Sequence, residues 1–125
     1  YGGTHRVSTK VLNRWGLECS FVDTADANNV KNAIRDNTKL IFTETPANPT
    51  LKLTDIAACA EVARECSALL VVDNTFSSPL LQQPFRCGAD VVIHSLTKYL
   101  NGHSDVVGGV IVSAAQPQHV APFGA

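Results

Sequence analysis

The sequence contains no methionine, few charged residues and no long apolar run. The chain has 125 residues, of which 45% are hydrophobic and 17% are charged. Lysine plus arginine number 10 and aspartate plus glutamate 11, so the net charge is near zero. This composition predicts a globular core, and the absence of a basic face argues against nucleic-acid binding. Because no methionine is present, we expect the chain to be a segment of a longer polypeptide.

The sequence also lacks the patterns of membrane-spanning and metal-binding proteins. Apolar runs such as residues 68–72 are far shorter than the about 20 residues of a spanning helix, so we expect no membrane insertion. The cysteines at positions 19, 59, 66 and 87 form no Cys-x-x-Cys pair, and no histidine follows at zinc-finger spacing. We therefore expect no metal site and interpret the cysteines as reduced thiols of a cytoplasmic protein.

A phosphate-binding loop of the Gly-x-x-x-x-Gly-Lys-Ser/Thr type is absent from the sequence. This absence argues against a nucleotide hydrolase. In such an enzyme, Asp73 at the end of an apolar strand would be a candidate magnesium ligand. The hydrolase remains an open alternative because a preceding part of the polypeptide could carry the loop.

The apolar residues that are present alternate between the helical and the strand period, which indicates an α/β fold. Gly16 is expected to end the first helix, Asp26 to cap the second, and Thr54 or Asp55 to cap the third. The predicted helices cover residues 7–15, 26–37 and 55–66. The predicted strands cover residues 19–22, 39–42, 69–72, 91–93 and 106–112.

The spacing of these strands predicts a mostly parallel sheet with helices on both faces. Strands starting near residues 39, 69 and 91 leave room for a crossover connection between each pair. The run 69–72 is apolar throughout, as a strand covered on both sides must be. Right-handed crossovers then place all carboxyl ends at one edge, where ligands of open α/β sheets bind.

Polar side chains follow three of these strands at that edge. Residues 44–48 follow the first strand, Asp73 the second, and Ser95, Thr97 and Lys98 the third. A lysine at the mouth of an apolar crevice, surrounded by hydroxyls, can act as a nucleophilic amine that forms Schiff bases. An aspartate beside it suits pyridoxal phosphate, whose aldehyde reacts with an amine and whose ring nitrogen needs an anion to stay protonated.

Four segments carry a resemblance to a known family. They are YGGT at residues 1–4, ETPANPT at 44–50, VVDNTF at 71–76 and SLTKYLNGHSD at 95–105. Through them the chain resembles the Cys/Met-metabolism family of pyridoxal-phosphate enzymes, which includes cystathionine γ-lyase, cystathionine γ-synthase and methionine γ-lyase. The resemblance implies the large domain of the aspartate-aminotransferase-like (type I) fold, with residues 1–125 as the central part of the cofactor-binding catalytic domain.

The resemblance also implies roles for six residues. Lys98 would bind the cofactor covalently and act as the base that moves protons between substrate carbons. Tyr1 would stack on the cofactor ring and serve as an acid or base at the leaving group. The remaining implied cofactor contacts are Asp73 at the ring nitrogen, Asn48 at the 3-oxygen, and Ser95 and Thr97 at the phosphate.

The activity implied by the resemblance is β/γ-elimination or γ-replacement on sulfur amino acids by a homotetramer. Cystathionine γ-lyase is favoured, because residues 1–4 and 45–50 are slightly more similar to that branch. Cystathionine γ-synthase and O-acylhomoserine sulfhydrylase are the alternatives. A further alternative is a catalytically inactive fragment or interaction domain that retains the fold. In all cases we expect the 125-residue chain alone to be inactive.

Overall fold

The computed structural model describes residues 1–114, so the end of the predicted domain, 115–125, lies outside the described residues. Its centre is a four-stranded sheet in the order β1-β2-β3-β4. The strands are β1 (Leu40–Glu44), β2 (Leu69–Asp73), β3 (Val91–Ser95) and β4 (Gly109–Ser113). β1, β2 and β3 are parallel, and β4 runs antiparallel to β3. The prediction of a mostly parallel α/β sheet is therefore confirmed.

Within residues 1–114, four α-helices accompany the sheet, two before β1 and one in each parallel connection. They are α1 (Gly2–Arg6), α2 (Ala27–Asn32), α3 (Ile56–Glu65) and α4 (Ser78–Leu81). At the start of α2, Asp26 Oδ1 accepts a hydrogen bond from the Asn28 backbone N–H at 2.9 Å. At the start of α3, Asp55 Oδ1 accepts from the Ala58 N–H at 3.0 Å, so Asp55 rather than Thr54 is the cap.

The helix predicted over residues 7–15 forms, but with irregular geometry. After α1 the chain continues through a wide helical turn at Val7–Val11 and a tight turn at Leu12–Trp15. Gly16 then ends it with φ +86°, as the sequence predicted. None of these residues is buried, so no packing surface forces the turns into regular α-helical geometry.

Two predictions made from the sequence need correction. The strand predicted over residues 19–22 is wrong, because that exposed segment pairs with none of the four strands. A strand requires a hydrogen-bonded neighbour, and local strand preference does not provide one. The second helix ends at Asn32 rather than near residue 37, and Ala33 leaves the helix as its C-cap.

The buried core lies on one face of the sheet, between the strands and helices α2 and α3. Leu70, Val72 and Cys59 are completely buried there, and Val30 of α2 joins the same cluster. On the other face, large apolar side chains remain partly exposed: Leu40 by 50%, Phe42 by 37% and Ile111 by 72%. Among residues 1–114, no helix has the length and apolar character that crossing a membrane requires.

Candidate functional site

The strand register brings the carboxyl ends of β1, β2 and β3 to one edge of the sheet. Glu44, the last residue of β1, pairs with Asp73, the last residue of β2. Asp73 in turn pairs with Ile93 of β3, and Ser95 lies two residues further along that strand. Because side chains alternate along a strand, Glu44, Asp73 and Ser95 point to the same side of the sheet.

Asp73 is partly buried, and local hydrogen bonds hold it in place. Its Oδ1 accepts from the Thr75 N–H at 3.0 Å, a bond that turns the chain directly after β2. Thr75 Oγ1 accepts from the Ser95 N–H at 2.8 Å, which ties this turn to the end of β3. Within residues 1–114, Asp73 Oδ2 has no hydrogen-bond partner, so this oxygen can accept from a ligand.

Lys98 lies in a helical turn, Leu96–Leu100, that directly follows β3. Its own backbone leaves the helical conformation, with φ −95° and ψ −121°. The turn is closed by hydrogen bonds from the Asn101 N–H to the Leu96 carbonyl at 3.0 Å and from the Gly102 N–H to the Lys98 carbonyl at 2.8 Å.

The Lys98 side chain is exposed and forms no ion pair with any part of the chain that the structure describes. The apolar crevice expected around Lys98 is therefore not built by the described residues. The amine remains available to a ligand at the edge of the sheet.

Ser95 and Thr97 differ in how their hydroxyls are used. Thr97 Oγ1 donates to the Gly108 carbonyl at 3.2 Å and accepts from the Gly108 N–H at 3.0 Å. Its single proton is thus engaged in holding the Lys98 turn against the segment before β4. The Ser95 hydroxyl is partly buried and has no hydrogen-bond partner within residues 1–114. Of the two hydroxyls, that of Ser95 is therefore better placed to donate a hydrogen bond to an anionic ligand.

Glu44 lies beside the loop that carries the predicted site residue Asn48. Its Oε1 accepts from the Asn48 N–H at 3.0 Å, and its side chain is only 14% exposed. This bond ties the Asn48 loop to the end of β1. Tyr1, the other remaining predicted site residue, is 65% exposed.

Backbone hydrogen bonds close the loop that carries Asn48 and its two prolines. Both the Thr45–Pro46 and the Asn48–Pro49 peptide bonds are cis. The Ala47 N–H donates to the Lys52 carbonyl at 2.9 Å, and the Leu51 N–H donates to the Ala47 carbonyl at 2.7 Å. These bonds hold Asn48 at the exposed rim of the loop.

Sequence reasoning did not assign positioning roles to Glu44, Thr75 and Gly108. Glu44 was noted among the polar residues after β1, and Thr75 within the VVDNTF segment, but no pattern in the sequence indicates which backbone groups they bind. The sequence around Gly108 does not indicate its hydrogen bonds to Thr97, because the two residues come together only through the chain reversal before β4. No cluster of three or more metal-ligating side chains occurs in residues 1–114.

Comparison with known proteins places this arrangement among pyridoxal-phosphate enzymes. The profile of the family described as Cys/Met metabolism PLP-dependent enzyme matches residues 1–122. Cystathionine γ-lyase of Bacillus subtilis is 59% identical over 116 residues, which cover 93% of this chain and 31% of that protein. Cystathionine γ-synthase of Mycobacterium tuberculosis is 55% identical over 113 residues, covering 90% of this chain and 29% of that protein.

Solved structures give the same result for the fold. The crystal structure of metB from Corynebacterium glutamicum superimposes with a TM-score of 0.88 at 57% identity, over 90% of this chain and 29% of that one. Cystathionine γ-lyase from Lactobacillus plantarum, complexed with L-serine, also gives a TM-score of 0.88, at 49% identity over 90% of this chain and 30% of that one. The chain thus spans about a third of the length of the curated relatives it matches.

Proposed function

Because this chain belongs to the Cys/Met-metabolism family of PLP-dependent enzymes, we propose that it is the central part of a cofactor-binding catalytic domain. The full-length protein would act on sulfur-containing amino acids as a carbon–sulfur lyase or transferase. The observation that carries this proposal is the shared edge of the sheet. Glu44 pairs with Asp73 there, Asp73 pairs with Ile93, and the turn bearing Lys98 follows the next strand end.

The residues at this edge suit pyridoxal phosphate by their chemistry. Asp73 offers the unpartnered oxygen Oδ2, Ser95 offers a hydroxyl, and Lys98 offers an amine without an ion pair in the described part of the chain. When bound, the cofactor supplies an electron sink for charge that develops on the substrate. The chain supplies the groups that hold the cofactor and move protons.

Each residue has a distinct task in this proposal. Lys98 would hold the cofactor through Nζ and, when Nζ is free, would be the base that moves protons between substrate carbons. The Asp73 carboxylate would hold a proton on the ring nitrogen, because it stabilises positive charge there. The Asn48 side-chain amide would bind the 3-oxygen of the ring.

The remaining two tasks belong to the phosphate and to the ring face. Ser95 would donate a hydrogen bond from its hydroxyl to the phosphate. Thr97 would do so only if its hydroxyl proton turned away from the Gly108 carbonyl. Tyr1 would stack on the ring and transfer a proton at the leaving group. Its side chain is 65% exposed and so is accessible to a ligand.

Within this family we propose β/γ-elimination, with cystathionine γ-lyase as the favoured activity. The 59% identity to the Bacillus subtilis γ-lyase supports this choice over the 55% identity to the Mycobacterium tuberculosis γ-synthase. Cystathionine γ-synthase and O-acylhomoserine sulfhydrylase, which carry out γ-replacement, are the alternatives. The small difference in identity makes the choice of reaction a matter for direct assay.

The assay compares substrates on the purified full-length protein with added pyridoxal phosphate. A γ-lyase is expected to release cysteine and ammonia from cystathionine, and to consume cysteine plus an acylated homoserine slowly or not at all. Rapid consumption of the second pair without cystathionine cleavage would replace the lyase by a γ-replacing enzyme. Consumption of an acylated homoserine with sulfide alone would indicate the sulfhydrylase. No turnover with any of the three substrate sets would favour the inactive fold-retaining protein.

The assembly and the location of the protein are also part of the proposal. We expect a homotetramer with an amino-acid substrate, and sedimentation of the full-length protein tests the tetramer. A cytoplasmic location agrees with the four cysteines, all of which are free thiols. The isolated 125-residue chain is expected to show no turnover.

A further inference from the structure

A buried asparagine and a partly buried glutamine join their side-chain amides next to the candidate site. Asn74, directly after Asp73, is completely buried. Its Nδ2 donates to the carbonyls of Ser78 at 3.1 Å and Gln82 at 2.9 Å, and its Oδ1 accepts from Gln82 Nε2 at 2.8 Å. Both amide protons of Asn74 are thus used, and the end of β2 is bound to α4 and the residue that follows it.

Gln82 extends this pair to the neighbouring strand end. Besides Asn74 Oδ1, its Nε2 donates to the Thr45 carbonyl at 2.8 Å. Thr45 is 1% exposed, directly follows β1 and begins the loop that carries Asn48. The side-chain NH₂ group of Gln82 therefore donates both of its protons, one to the Thr45 carbonyl after β1 and one to Asn74 Oδ1 after β2.

We propose that Gln82 is a positioning residue that fixes the Asn48 loop relative to Asp73. This inference rests on the proposed function, in which Asn48 and Asp73 bind two different atoms of one cofactor ring. The ring has fixed dimensions, so a change in the spacing of the two strand ends weakens one contact or the other. Gln82 itself lies below the edge and acts through Asn74 and Thr45.

The physical reason is that, within residues 1–114, neither acceptor receives a hydrogen bond from any group other than Gln82. Buried carbonyl and amide oxygens that lose their hydrogen bonds bear the cost of desolvation, and that cost is larger in a low-dielectric interior. Without Gln82, the Thr45 carbonyl and Asn74 Oδ1 must move towards water to recover a partner. The Thr45 N–H still donates to the Asp73 carbonyl at 3.5 Å, and Thr45 Oγ1 still accepts from the Thr54 N–H at 3.0 Å, so the shift would fall on the Thr45 carbonyl and the segment that leads from it to Asn48.

The test compares variants of Gln82 with matched variants of its exposed neighbour Gln83 in the full-length protein. Gln82→Leu removes the amide, and Gln82→Glu keeps the side-chain length but removes the two protons. Loss of two hydrogen bonds is expected to raise the dissociation constant for pyridoxal phosphate about tenfold and to shift the visible absorption maximum of the bound cofactor. Gln83→Leu and Gln83→Glu are expected to leave both values unchanged.

A double-mutant cycle separates positioning from a general loss of structure. If Gln82 acts through the Asn48 loop, Gln82→Leu has a much smaller effect on cofactor affinity when Asn48→Ala is already present. A merely structural role would lower the unfolding temperature of the cofactor-free protein, with additive effects in the cycle and an unshifted absorption maximum. That result would overturn the inference.

The remaining outcomes also decide the question. Failure of both Gln82 variants to fold, judged by circular dichroism, would assign the pair to folding and overturn the positioning role. No cofactor binding by the wild-type protein would overturn the proposed function and this inference together. Wild-type binding with unchanged affinity in folded Gln82 variants would overturn this inference alone.

Discussion

The buried face of the sheet and its carboxyl edge are built from the same three strands but differ in how their side chains are used. On the face, Leu70 and Val72 are completely buried against α3. At the edge, Lys98 and Asn48 are exposed, and Asp73 keeps one carboxylate oxygen without a partner in residues 1–114. The difference indicates that the apolar side chains of the face stabilise the fold, whereas the exposed polar groups at the edge are the ones that a ligand can reach.

The sharpest test of this separation is removal of the amine at the edge. Lys98→Ala in the full-length protein is expected to lower kcat by about 10³-fold, because it removes the proposed base. The free energy of unfolding of the cofactor-free protein should change by less than about 0.5 kcal/mol, since the side chain is exposed. Steady-state assays and urea unfolding measure the two effects.

The exposed Lys39 provides the control for this substitution, because Lys39→Ala removes an equivalent side chain away from the edge. It should leave both activity and stability near wild-type values. A Lys98→Ala protein that retains more than a tenth of wild-type kcat would break the assignment of chemistry to the edge.

Removal of a buried side chain should have the opposite outcome. Leu70→Ala is expected to destabilise the protein by about 3 kcal/mol, because Leu70 is completely buried and the cavity cannot fill. Leu80→Ala makes the same chemical change at a side chain that is 85% exposed, and should cost less than about 0.5 kcal/mol. Equal urea midpoints for the two variants would contradict the placement of the core.

A smaller effect is expected from the cap of the helix that covers the core. Asp55→Ala removes the side-chain acceptor for the Ala58 N–H at the start of α3 and should cost about 1 kcal/mol. Asp36→Ala, at an exposed aspartate outside any helix, is the matched control. An unfolding free energy for Asp55→Ala as high as that of the control would show that α3 does not depend on this cap.

The smallest effect concerns pH and also distinguishes the core from the edge. Burial, with a contribution from the negative charge of Asp55, raises the pKa of the Cys59 thiol above its ordinary value of 9.0. The folded state therefore holds this proton longer than the unfolded state does, and stability is lost as the pH rises above 9.0 towards the raised pKa.

The alanine variant isolates this contribution. Cys59→Ala lacks the titrating thiol, so its stability relative to wild type should improve as the pH rises above 9.0. Urea unfolding of both proteins across this range measures the change. A difference in unfolding free energy that does not vary with pH would show that the thiol is not shielded in the folded state.

The sequence predicted the parts of the fold whose local pattern and burial agree. In α3, the apolar face and the Asp55 cap point to the same helix, and residues such as Cys59 and Ala63 are buried as expected. Residues 7–15 show a comparable apolar stripe, yet they form wide and tight turns without a buried residue. Periodicity identified both helical segments, but only packing makes the geometry regular.

Long-range pairing accounts for what the sequence could not predict. Residues 19–22 include Phe21 and Val22, which favour strands, but no neighbouring strand pairs with them. The strand ends that bring Glu44, Asp73 and Ser95 to one edge were predictable, because parallel connections fix that edge. Which backbone groups these side chains bind depends on the register, and the sequence contains no sign of it.

Positioning contacts were the least predictable part of the site. Gln82 binds the Thr45 carbonyl across 37 positions of sequence, and its neighbour Gln83 has the same side chain but is exposed. The hydrogen bond from the Thr97 hydroxyl likewise depends on the Gly108 carbonyl, which comes close to Thr97 only because the chain reverses before β4. Residue type alone does not distinguish such contacts.

The central claim is that Lys98 and Asp73 serve one pyridoxal-phosphate ring at the carboxyl edge, and covalent trapping at Lys98 tests it most directly. The full-length protein is loaded with the cofactor, reduced with borohydride and digested, and the modified peptide is sequenced by mass spectrometry. We expect a pyridoxyl group on Lys98 in the wild type and a weaker yield in Asp73→Ala. A pyridoxyl group on another lysine, or an unmodified Lys98 peptide, would contradict it.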